Sequence, residues 1–283
     1  MGLCAVSALA APATSTINDQ YYPPIDCFLR FFELIGAGRA AIEERMPQRG
    51  RHVLVVGATG RLGAAIAHGL AARGDKPILT ARDPNKLEAL ATDVGRASSF
   101  TPPYITADLT HGDAIERIVE GVHAMTPGLS DVVLACGPFP RTPFEALRRE
   151  DLERTLTVHA VVPLLLVHAL SKELARAQGA VVALADAGIT RPFMNHVAYL
   201  TAKGALTTGL RALAVELAPE VRVNLVALGI VADPEADADP LRTHRLATRS
   251  PLGRFGTPEE VVHAVLALLD ATWSTGEIWG IGR

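Results

Sequence analysis

The sequence predicts an α/β fold, a doubly wound seven-stranded parallel sheet preceded by a helical N-terminal extension. Three observations carry this. Seven short apolar runs recur between residues 52 and 281 with little polar alternation, as strands buried on both faces require. Amphipathic stretches separate the runs, which is the pattern of right-handed βαβ units. The first run also leads directly into a glycine-rich turn that opens a helix.

Taken in chain order, residues 1–50 stand outside the alternating scheme. The opening "MGLCAVSALAAPATST" is small and apolar but has no basic leading segment, and it reads as a disordered tail. In "PPIDCFLRFFELIG", Phe28, Phe31, Phe32 and Ile35 fall on one face of a short amphipathic helix that Asp26 is placed to cap. The polar segment "MPQRGR" at 46–51 marks the boundary, and residues 51–283 form the catalytic domain. Its expected strands are "HVLVVG" (52–57), "KPILTA" (76–81), "YITAD" (104–108), "DVVLAC" (131–136), "GAVVALA" (179–185), "VRVNLVAL" (221–228) and "GEIWGI" (276–281). The polar, proline-rich loop 231–257 is long enough to serve as a lid.

Bulk properties narrow the function. A formal charge of −3 argues against nucleic acid as a partner, because phosphate recognition needs a basic face. Three scattered cysteines without a CxxC pair give neither a disulfide framework nor a metal site, and a reducing cytoplasm is the default compartment. No apolar run approaches the roughly 18 residues of a membrane helix, so the expected partner is a small molecule.

The turn "VVGATGRLGAAIAHGL" has the context that makes glycine spacing meaningful, a strand before it and a helix after it. Its glycines let the backbone approach a pyrophosphate at the helix N-terminus, the fingerprint of a Rossmann fold. Gly57, Thr59, Gly60, Arg61, Leu62 and Gly63 are therefore assigned to cofactor binding. At the tip of the second strand stands Ala81, where an acid would accept from the ribose hydroxyl of NAD. Arg82 follows and suits a 2′-phosphate, so NADPH/NADP+ is the expected cofactor. Asp108, after the third strand, is placed to accept from an adenine amino group.

Tyr199 and Lys203 lie one helical turn apart in "HVAYLTAKGALTTGL" and project from one face. A phenol near its free pKa is a poor proton donor at neutral pH, and a neighbouring ammonium is expected to bring it closer to the useful range. Asp186 stands thirteen residues before the tyrosine, just after a buried strand.

With these motifs in place, residues 51–283 resemble the short-chain dehydrogenase/reductases. Within that family the chain looks most like the pteridine reductases and the related dihydromonapterin or dihydrofolate reductases. Three positions carry the narrower resemblance: Arg61 in "GATGRLG", Phe139 in "ACGPFPRTP", and Asp186 where most of the family have a serine. A carboxyl group can both accept from and donate to ring nitrogens, which suits a heterocycle better than a simple carbonyl. The resemblance implies hydride transfer from NADPH to a C=N carbon of a pterin-like ring. Tyr199 and Asp186 would then supply the proton, while Lys203 binds the nicotinamide ribose. Phe139 would stack on the substrate, Arg61 would touch cofactor phosphates and substrate, and Gly229 and Ile230 would position the carboxamide.

Two positions depart from the family pattern, Ala135 and His159, each replacing an asparagine. Histidine titrates near neutrality and can relay protons, but a packed helix histidine is the reading preferred at position 159. Two other readings stay open: an NADPH-dependent reductase of another cyclic imine, enone or ketone, and a cofactor-binding protein with impaired turnover. The apolar helices around 155–174 and 197–216 suggest a homotetramer or dimer.

Overall fold

A computed structural model describes residues 50–232, 240–248 and 250–282. The helix expected around Phe28, Phe31, Phe32 and Ile35 lies outside these residues, as do the tail before it and positions 233–239 of the expected lid. The chain divides into two units, Met1–Pro47 and Gln48–Arg283, and every described residue belongs to the second.

All seven expected strands form. They are β1 (His52–Val56), β2 (Lys76–Ala81), β3 (Tyr104–Thr106), β4 (Asp131–Leu134), β5 (Ala180–Asp186), β6 (Arg222–Leu228) and β7 (Ile278–Ile281). They make one sheet in the order β3-β2-β1-β4-β5-β6-β7, and every neighbouring pair is parallel. The order reverses between β1 and β4, which opens a crevice beyond the carboxyl ends of those strands.

The strands are apolar throughout because both faces are covered. Side chains alternate between faces, so Val53 and Val55 join one core while Leu54 and Val56 join the other. Helices α1 (Arg61–Ala72) and α2 (Pro84–Ala97) cover the first face through Ile66, Leu70 and Leu87. Helix α3 (Ala114–Met125) covers the second through Ile118. The next helical run comprises α4 (Arg149–Leu156), a π turn (Thr157–Val161) and α5 (Val162–Ala169). After α6 (Ser171–Arg176) comes the long α7 (Val197–Glu216), and Leu166 of α5 and Leu206 and Leu210 of α7 complete that second core. Each fully buried leucine or valine contributes about 1.5–3 kcal/mol. The chain closes with α8 (Pro240–Ala247) and α9 (Pro258–Asp270), and Val265 and Leu269 of α9 pack beside α1.

The run Arg149–Ala169 corrects one expectation, since by length and composition it is apolar enough to cross a membrane. Its Ala160, Leu166 and Val167 belong to the core against the sheet, the usual place for such a helix in a globular domain.

Local signals explain the helix starts nearest the site. Asp83 accepts from the backbone N–H of Asn85 and Lys86, and Pro84 occupies the first helical position of α2. Thr257 and Glu260 form a capping box on α9, again with proline at the start.

The amino ends of the strands are tied by charge. Arg51 Nε lies 3.3 Å from Asp131 Oδ2 and its Nη2 lies 2.7 Å from Asp270 Oδ1. Arg73 Nη1 reaches the other Asp270 oxygen at 3.0 Å and also pairs with Asp75. Asp131 is fully buried and accepts from Ala180 N at 2.7 Å, which joins β4 to the start of β5. Burial pushes its carboxyl up to about 6 from 3.8, although Arg51 favours the charged form. The folded state therefore binds a proton that the unfolded chain has released. The resulting stabilisation is complete below about pH 4 and is lost as pH rises to about 6. Denaturant titrations should show the stability of the wild type, relative to Asp131→Asn, declining by up to about 3 kcal/mol across that window and then levelling off. A difference that does not vary with pH would mean that Arg51 keeps the carboxylate charged throughout.

Candidate active site

The glycine turn is shaped by close approach. Gly57 has φ +83, and a Cβ there would lie 2.6 Å from Cys136 Cα and 2.9 Å from Ala135 O. At Gly63 a Cβ would meet Gly57 O at 2.2 Å. Only glycine lets the turn pack on both β4 and its own helix. Gly60 is the N-cap of α1 and has no side chain to satisfy the free N–H groups there, so they are left for a ligand.

Beyond this turn lies a cleft of about 780 Å³. It brings together Gly57, Thr59, Gly60, Arg82 and Asp108 from the predicted set. Lys86, on the first turn of α2, lines the same end as Arg82 and was not singled out in the sequence. The signal was available: once Asp83 caps α2, Lys86 is placed in its first turn behind Arg82. Asp83 lines the same cleft, with its Oδ1 engaged as the cap of α2. Asp108 Oδ1 accepts from Thr110 N and Thr110 Oγ1 at 2.9 and 2.8 Å. These bonds, the backbone one first, hold its carboxyl below the usual range.

Other predicted residues are engaged elsewhere. Leu62 packs against the core. The guanidinium of Arg61 donates to the carbonyls of Ala232 and Val231, which straps the turn to the segment after β6. Gly229 N donates to Ile281 O at 2.8 Å, and Ile230 O accepts from Gly256 N at 2.9 Å. Both residues line a second cavity of about 290 Å³ with Arg254 and Glu260.

Asp186, Tyr199 and Lys203 do converge. Asp186 ends β5 and Tyr199 lies in the first turn of α7. The phenol donates to Asp186 Oδ2 at 2.7 Å, and Gly188 N donates to Oδ1 at 2.6 Å. Lys203 is buried, donates to Leu184 O at 2.7 Å, and stands 5.9 Å from the centroid of the Tyr199 ring. The tyrosine therefore titrates opposite to expectation. Burial, and then the Asp186 charge and hydrogen bond, raise its pKa well above the free value. Burial also lowers the pKa of the Lys203 ammonium.

His159 is the packed histidine that the sequence favours. It sits fully buried in the π turn, and its Nε2–H donates to Pro138 O at 2.8 Å. Burial, followed by the charge of Lys203, pushes its pKa down to about 4, so it is neutral at physiological pH and does not titrate there. Gly137, at φ +110, makes room for it, since a Cβ there would lie 2.0 Å from His159 Cε1. The imidazole thus anchors the loop that carries Phe139.

Phe139 is 58% exposed and meets Tyr199 edge-on at a centroid distance of 4.7 Å. His196, also unremarked in the sequence, stacks on it at 4.4 Å with planes inclined by 21°. Phe193 packs edge-on against His196 at 4.9 Å. His159 touches Tyr199 from another side at 5.3 Å and also lines the large cleft, so the cleft and the tyrosine adjoin.

The chain is similar to known oxidoreductases. The family profile described as Enoyl-(Acyl carrier protein) reductase matches residues 57–281. L-xylulose reductase of Bos taurus is 30% identical over 225 residues, covering 78% of this chain and 89% of that protein. Dihydromonapterin reductase of Enterobacter sp. (strain 638) is 29% identical over 238 residues, covering 82% and 95%. Among solved structures, 3-oxoacyl (acyl-carrier-protein) reductase of Agrobacterium tumefaciens C58, with NADP bound, superposes with a TM-score of 0.78 at 28% identity, covering 85% of this chain and 96% of that one. A match that runs from the first glycine of the turn to the last strand of the sheet settles the placement: the chain belongs to the short-chain dehydrogenase/reductase family.

Proposed function

We propose that this protein is an NADPH-dependent reductase that adds hydride and a proton across a C=N bond of a pterin-like or other flat nitrogen heterocycle. The observation that carries the reading is the 2.7 Å hydrogen bond from Tyr199 to the Asp186 carboxylate. Dihydromonapterin reductases among the relatives support it, as does the NADP bound in the related solved structure.

The residues fit such a cofactor. The turn at Thr59 and the uncapped start of α1 offer N–H groups to the pyrophosphate, Arg82 and Lys86 offer cations to the 2′-phosphate, and Asp108 offers an acceptor to adenine. When bound, the reduced nicotinamide supplies the hydride. The chain's own part is the proton. Tyr199 is protonated at neutral pH like any phenol, and its raised pKa makes it a weaker acid still, which releases its proton only to a strongly basic atom. A ring nitrogen gaining electron density as hydride reaches the adjacent carbon is such an atom. The carbon gains the hydride, the nitrogen gains the phenolic proton, and the C=N bond becomes a CH–NH bond. Lys203 offsets the phenolate charge that remains, and Asp186, half-exposed at the strand end, passes a replacement proton from solvent.

A second reading, reduction of a simple carbonyl, is favoured by the relatives named for xylulose and 3-oxoacyl substrates. Exposed Val161 and Leu165, one turn apart, support assembly into a dimer or tetramer.

A panel of dihydropterins, cyclic imines and ketones, followed by NADPH oxidation, separates the two readings, and turnover of ketones alone would overturn the first. Asp186→Ser should cut kcat/KM for a nitrogen heterocycle by about 100-fold while NADPH affinity, measured by fluorescence, stays within about threefold. Equal losses in both would remove Asp186 from the chemistry. Arg82→Asp should lower the preference for NADPH over NADH by at least about tenfold. An unchanged ratio would place the ribose elsewhere.

A further inference from the structure

Phe139 is more than half exposed, on a loop between two prolines, yet it must hold one orientation to act as the wall of a slot for a flat ring. The loop backbone is fixed by His159 through Pro138 O. What fixes the ring is a separate matter. From the observations around it we infer that His196 is the positioning residue for Phe139, and that this pair gives the site its preference for flat rings. The inference rests on the heterocycle reading above and extends it.

Four observations agree. The imidazole stacks on Phe139 at 4.4 Å, and Phe193 braces it edge-on at 4.9 Å. His196 Nδ1 lies 2.7 Å from Met194 O. A carbonyl can only accept, so Nδ1 carries the hydrogen and the ring cannot swing without losing that bond. A parallel bridge between Thr142 and His196, with Thr142 N donating to Asn195 O at 2.7 Å, fastens the Phe139 loop to the His196 segment. Asn195 holds φ +66, a left-handed conformation that costs a non-glycine residue free energy and is kept only where the surroundings demand it.

Position completes the case. His196 is the N-cap of α7 and Tyr199 follows in its first turn, with Phe139 touching both rings. A substrate that offers its nitrogen to the Tyr199 hydroxyl must lay its body beside the stacked pair. Gly188 belongs to the same device, since a Cβ there would lie 2.3 Å from Phe193 Cε1 and displace the brace.

The test compares His196→Ala with His196→Phe in the full-length protein. Alanine removes the stack, and phenylalanine keeps a ring while losing both nitrogens. For a dihydropterin or cyclic imine that the wild type reduces, alanine should raise KM about fivefold with kcat nearly unchanged, the size of one lost aromatic pair, and phenylalanine should restore most of it. NADPH affinity and the KM for an open-chain ketone should not move in either variant. An unchanged KM for the ring substrate in the alanine variant, or a KM raised equally for ring and ketone, overturns the role of His196. A wild type that reduces only ketones overturns the heterocycle reading instead, so the two failures are distinct.

Discussion

Where the strand order reverses, the turn after β1 passes so close to β4 that a single added methyl at residue 57 would sit 2.6 Å from Cys136 Cα. This contact sets the geometry of everything beyond the sheet. It fixes where α1 begins, leaves the N–H groups of that helix start uncapped by any side chain, and opens the cleft between the carboxyl ends of β1 and β4. Gly63 repeats the constraint one turn into the helix, where a Cβ would meet Gly57 O at 2.2 Å. A bulkier residue at either place would move the helix away from the sheet and spread the N–H groups that face the cleft.

The two ends of the sheet handle burial differently. At the amino ends, arginines and aspartates are paired with one another, and the uncompensated part of the burial falls on Asp131. At the carboxyl ends, each buried titratable group is pushed toward its neutral form, and each has one defined partner. Tyr199 faces Asp186, Lys203 faces the Leu184 carbonyl, and His159 faces the Pro138 carbonyl. The desolvation that makes Asp131 a source of pH-dependent stability also keeps a proton on Tyr199. Burial thus acts on the fold at one end and on the tyrosine's acidity at the other.

Much of this was legible in the sequence, for reasons that differ from residue to residue. The seven strands were readable because a parallel sheet covered on both faces leaves continuous apolar runs, and β1, β5 and β6 need no turn chemistry to be recognised. The glycine turn and the Tyr199–Lys203 spacing were readable because both are local, set by one turn and one helical period. The partners of Arg61 and the titration of His159 and Tyr199 were not legible because they depend on where side chains far apart in sequence finally rest. Arg61 is held by carbonyls 170 and 171 residues later in the chain. His159 is silent at neutral pH only because the π turn buries it beside Lys203. His196 gave no signal at all, since a histidine before a helix is commonplace and its partner Phe139 comes from another strand's loop.

The replacement of a hydroxyl by a carboxylate beside the tyrosine has a consequence for what the site can protonate. A serine can turn its hydrogen toward a substrate oxygen and so stabilise charge that develops there. Asp186 instead accepts from Tyr199 and from Gly188 N. Its charge opposes any anion forming nearby and so disfavours a substrate whose reduction leaves an oxyanion. It favours a substrate that stays neutral or becomes cationic as it takes the proton, which is the behaviour of a basic imine nitrogen. Under the proposed reading, the same charge that raises the pKa of Tyr199 would disfavour weakly basic carbonyls. The electrostatics of this hydrogen-bonded pair support the proposed heterocycle reading, with the aromatic wall of Phe139 and His196 adding shape.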